Sequence, residues 1–79
     1  MWWWLEKIED TTDAAIYGYG VETQNASGKI VISKTSNEIM RIRLADNDND
    51  TLFKDVFVGL VRSIIPKESY PMVRSIATG

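Results

Sequence analysis

Cysteine and histidine are both absent from the 79 residues. Without cysteine no disulfide can form, and without either residue a structural zinc has no plausible ligand set. The same absences remove the usual general base and the usual thiolate nucleophile. Proline is scarce, with only Pro66 and Pro71, so nothing before Pro66 is barred from regular structure by a missing N–H. A long apolar run at the start is lacking too. Met1-Trp2-Trp3-Trp4-Leu5 meets Glu6-Lys7 at once, whereas a signal peptide needs about 7–15 apolar residues and a membrane span about 20. These absences predict a cytoplasmic chain with no membrane association. A surplus of positive charge is missing as well. The net charge of −2 gives no electrostatic footprint for duplex nucleic acid.

What is present is an ordinary globular balance, 44% hydrophobic and 25% charged. The length allows a single domain over residues 1–79. A chain of this mass buries roughly 60–65% of its unfolded surface, so one core is feasible with little surplus. Chains this short often depend on a staple. With disulfides and zinc excluded, the remaining staple is association with another chain. Charge is uneven along the sequence. Glu6, Glu9, Asp10, Asp13 and Glu22 dominate the first third, Lys29, Lys34, Arg41 and Arg43 the middle, and Asp46, Asp48, Asp50 and Asp55 the stretch after it.

Apolar periodicity predicts five strands and one helix. Strands are expected over residues 2–8, 14–23, 29–34 and 38–44, separated by polar turns. In the fourth, Met40, Ile42 and Leu44 alternate with Ile39, Arg41 and Arg43, which predicts one face for each set. Leu52, Phe53, Val56, Phe57, Leu60, Val61, Ile64 and Ile65 recur at three and four, the stripe of a helix from about Thr51 to Ile65. Asp50 or Thr51 is suited to cap it, and Pro66 to end it. A last strand is expected over 72–77. The fold class is therefore α+β, an antiparallel four- to five-stranded sheet in the order β-β-β-β-α-β. The single helix packs on one face.

Few residues suggest chemistry. Asp46-Asn47-Asp48-Asn49-Asp50 resembles the opening of a calcium loop, but Thr51 stands where glycine makes the turn and Phe57 where a bidentate acid is needed. It reads as a solvated connector. Gly18-Tyr19-Gly20 lies inside a strand, not before a helix, so close packing against a helix or a Trp explains it better than phosphate binding. Gly28, in a turn cluster, is suited to a positive φ. No cofactor and no metal are expected, and an enzyme is not.

Trp2-Trp3-Trp4 is the most unusual feature. Strand alternation sends Trp2 and Trp4 to one side and Trp3 with Leu5 to the other. One helix covers one face, so bulky aromatics are expected on the uncovered one. The three tryptophans are therefore the candidate protein interface. The leading expectation is a non-catalytic interaction module that forms a homodimer or binds a protein partner. Its size and composition suit a bacterial or phage accessory protein. The alternative is a single-stranded nucleic-acid binder that stacks bases on an open sheet face bearing Tyr17, Tyr19, Arg41, Arg43 and Arg74. Nucleic acid is the less favoured partner.

Overall fold

The computed structural model describes residues 1–49 and 52–77, the side chains of 52–55 excepted. Its elements run β1 (Trp2–Asp10), β2 (Ala14–Val21), β3 (Gly28–Ser33), β4 (Ile39–Arg43), α1 (Leu52–Ile64) and β5 (Val73–Ala77). All strands pair antiparallel in the order β4-β3-β2-β1-β5. The fold is α+β, as the alternation implies. The first four strands form the meander, and the chain then crosses the sheet through α1 so that β5 lies against β1.

The period of two decides which residues meet the helix. Trp3 and Leu5 on β1, Ala15, Tyr17, Tyr19 and Val21 on β2, Ile30 and Ile32 on β3 and Ile76 on β5 share the covered side and are buried. From α1 and the turn after it, Phe57, Val61 and Ile65 close the core, with Leu60 and Ile64 packed at its margin. Val56, expected inside, is 47% exposed, because it lies off the 57–61–65 line. The expected burial of Phe53 and the cap at Asp50 or Thr51 fall outside the described residues.

The glycines serve a loop. A Cβ on Gly20 would stand 2.6 Å from the Thr23 carbonyl oxygen and closer still to that of Asn25. A Cβ on Gly18 would meet the Ala26 Cβ at 3.1 Å. Residues 22–27 thus fold back over β2 on the side away from the helix, where a helix or a Trp was expected. Gly28 does not adopt positive φ. It is small because the Tyr19 ring and the Ala45 amide lie against it.

Regular helix stops at Ile64, since Pro66 offers no N–H, but the chain makes one more turn. The Ser69 N–H donates to the Pro66 carbonyl (3.1 Å) and the Tyr70 N–H to the Ile65 carbonyl (2.9 Å). These nested bonds form a Schellman ending, whose left-handed position usually holds glycine. Here Ser69 holds it, at φ 59°. Ser69→Gly is expected to raise stability by about 0.5 kcal/mol, the relieved Cβ strain outweighing the added freedom of the unfolded chain. Urea denaturation checks this; a loss of stability would contradict it. Phe57 is the opposite case, 3% exposed and in ring contact with both Trp3 and Tyr19. Phe57→Ala should cost about 3–5 kcal/mol, most of the stability of a small domain, whereas Val56→Ala should cost under about 0.5 kcal/mol. The same denaturation series separates the two.

Candidate functional site

The tryptophan run divides as the alternation requires. Trp3 is 1% exposed, with its ring centroid 5.4 Å from that of Phe57. It belongs to the protein's own core, which corrects its place among the interface candidates. Trp2 and Trp4 lie on the opposite side and are half-buried. Their neighbours on β5 are small, Ala77 beside Trp2 and Ser75 beside Trp4. The Trp4 indole N–H donates to Glu6 Oε1 at 2.6 Å. The ring is thereby oriented, and its only donor is satisfied within the chain. The same face carries Ile8, Val73 and Met40, which are 62%, 51% and 65% exposed.

The five residues of the alternative face do not come together. Tyr17 and Tyr19 lie under the helix, fully buried, because Gly18 and Gly20 take the other side. Arg41 and Arg43 are split by an irregularity in the ladder. Ile30 pairs with Arg41 and the next residue, Lys29, with Arg43, so Ile42 is an extra residue and Arg43 moves to the uncovered side. Arg41 stays on the helix side, where its Nη1 donates to Asp48 Oδ2 at 2.8 Å. Arg74 grips Glu68 through Nε (2.9 Å) and Nη2 (3.2 Å).

The buried tyrosines have structural partners. The Tyr19 hydroxyl donates to Asp48 Oδ2 and accepts the Ala45 N–H at 3.2 Å. The Tyr17 hydroxyl donates to the Pro71 carbonyl at 2.5 Å. Asp48, which the sequence places in a calcium-like run, is therefore committed to Tyr19 and Arg41. No group of three or more potential metal ligands occurs among the described residues. Asp10 accepts from both Lys34 and Lys7, which hold its carboxyl below the usual range, Lys34 the more strongly.

A cleft of about 50 Å³ opens between β4 and the helix, lined by Ile30, Ile39, Arg41, Phe57 and Val58. Ordinary ligand pockets are several times larger, and the broader hollow of about 270 Å³ at β3 and β4, lined by Val31, Ser33, Glu38, Ile39 and Met40, is half open to solvent. No described helix is long and apolar enough to cross a membrane. Comparison with protein-family models, curated proteins and solved structures gives no match. Function therefore has to be argued from the surface itself.

Burial pushes both tyrosine hydroxyls up to about 12, reinforced at Tyr17 by the Asp10 charge and at Tyr19 by the bond to Asp48. A raised folded value means that folding favours the neutral phenol. That contribution is complete below the unfolded tyrosine value of about 10 and declines as pH rises through 12. Alkaline unfolding is expected between about pH 10 and 12, with phenolate absorbance at 295 nm rising together with loss of circular dichroism. Ionisation of both tyrosines near pH 10 in folded protein would contradict this placement.

Proposed function

We propose that the chain is a non-catalytic protein-interaction module that self-associates, with Trp2 and Trp4 at the contact. One observation carries the reading. A single helix covers one side of a five-stranded sheet, while the other side presents two tryptophans beside exposed Ile8 and Val73. Aromatic anchors dominate interface energetics, and exposed apolar patches commonly mark interaction surfaces. The Trp4–Glu6 bond adds to this. With the indole N–H already paired, covering the ring strands no donor, so a dry contact carries no polar penalty there. A homodimer is the commonest closed assembly. The nucleic-acid reading has lost its stacking residues, since Tyr17 and Tyr19 are inside.

Sedimentation equilibrium on untagged protein tests the proposal. A concentration-dependent dimer is expected below about 100 μM, the range of weak but specific association. Trp2→Ala/Trp4→Ala should shift it toward monomer while Trp3 keeps the core intact. A strictly monomeric mass for the unaltered protein throughout that range would overturn the proposal.

A further inference from the structure

The two sheet edges differ in a way that selects one of them. On β5 the Met72 carbonyl accepts the Lys7 N–H at 2.8 Å, and Val73 pairs with Glu6. Along an antiparallel strand the backbone groups of successive residues point to alternate sides. Residues 72, 74 and 76 therefore turn their N–H and C=O groups to β1, and Val73, Ser75 and Ala77 turn theirs to the free edge. The Arg74 guanidinium agrees with this, since its Nη1 donates to the Ser75 carbonyl. The β1–β5 register is unbroken. On β4, Glu38 faces β3 through the Ser33 N–H. Ile39 and Arg41 then face outward, and the ladder irregularity follows immediately. The two edge strands are equally long, five residues each, but β5 is the more regular, and irregularities are one way such edges are protected.

We propose that two copies of this chain pair antiparallel through the β5 edge, centred on Ser75, with Arg74 setting the strength of the contact. The inference rests on the self-association reading and specifies its geometry. In this register Ser75 stands opposite itself across the two-fold axis. Val73 stands opposite Ala77 of the second copy, and all three outward residues of each strand find partners. Arg74 falls opposite Ile76, so no like charges face each other, and Glu68 already neutralises that guanidinium. On the uncovered side the row reads Trp4, Ser75, Ser75, Trp4. Nothing taller than serine lies between the two indoles, and the tryptophan patches join into one stripe. A flat, face-to-face contact is disfavoured because residues 22–27 lie over Gly18 and Gly20 on that side. On β1 the loop touches the first residues, where the Glu22 N–H donates to the Trp2 carbonyl at 3.0 Å, and β5 lies one strand further out. Arg74 caps the Ser75 carbonyl in the single chain, and its hold must be released on pairing.

The experiment uses the full chain and four variants, each checked for folding by circular dichroism. Ser75→Lys and Ser75→Glu, at an exposed position, place like charges opposite each other in a homodimer and should each weaken it about fivefold. Mixed in equal amounts they should form a heterodimer tighter than either homodimer, seen by native mass spectrometry. A contact that brings the two Ser75 positions together gives that rescue, and one remote from them does not. Ser75→Pro removes an N–H that the β1 ladder does not use and should weaken dimerisation at least about tenfold. Arg74→Ala uncaps the carbonyl and should tighten the dimer. A dimer unchanged by Ser75→Pro, or no preference for the Lys/Glu mixture, overturns the edge geometry and leaves self-association standing. A monomeric unaltered protein overturns both. Should the proline variant fail to fold, the charge pair alone decides.

Discussion

Phe57 lies against two rings of the sheet at once, 5.4 Å from Trp3 on β1 and 5.0 Å from Tyr19 on β2. That contact seats the Phe57 ring over β1 and β2, while Val58 lies toward Ile30 and Ile39, and Arg62 donates to the Asn37 carbonyl in the turn between β3 and β4. A helix is about 10 Å across and strands lie about 4.8 Å apart, so one helix shields two or three of the five. The outer strands are left under its margins. This is why the covered side bears a cation at each edge, Arg41 on β4 and Arg74 on β5. Each is met by an acid, Asp48 and Glu68 respectively. Each edge of the covered face thus pairs one apolar residue against the core, Ile39 on β4 and Ile76 on β5, with one cation held by an acid.

The same seat explains the tyrosine hydroxyls. Their rings lie on β2, in the middle of the sheet, and the hydroxyls need partners once buried. They reach past the helix at opposite ends. Tyr19 holds the connector that enters α1, through Ala45 and Asp48, and Tyr17 holds the connector that leaves it, through Pro71. One strand thus fastens both ends of the helical crossover. The exit is held further by Lys7, which donates to the Tyr70 carbonyl at 2.9 Å, and by Lys34, whose ammonium lies 4.8 Å from the centre of the Tyr70 ring.

Most of the architecture was legible because alternation and helical period are local properties. The separation of Trp3 with Leu5 from Trp2 with Trp4 follows from a period of two, though not which pair is inside, and Phe57, Val61 and Ile65 follow from three to four. The face of β2 was not legible. Tyr17 and Tyr19 alternate with two glycines, and both arrangements keep the period. The choice depends on residues 22–27, whose backbone needs the space above Gly18 and Gly20. No pattern within β2 records that need. Arg41 and Arg43 failed for a related reason. Their spacing of two places them together in a regular strand, but one residue inserted opposite Lys29 and Ile30 reverses everything after it. Such an insertion depends on the partner strand.

The loop over β2 also shapes how the uncovered side can be used. It fills the centre of that face with backbone and leaves apolar side chains on either flank, Trp2, Trp4 and Val73 toward β5 and Val31 with Met40 toward β4. A second sheet laid across the whole face would meet the loop first. Lateral growth meets no such obstacle, because the small side chains of Ser75 and Ala77 keep the β5 edge low beside the two indoles. If the chain self-associates as proposed, the glycines that admit the loop and the tryptophans that border it would act together to direct the second copy toward the β1–β5 side.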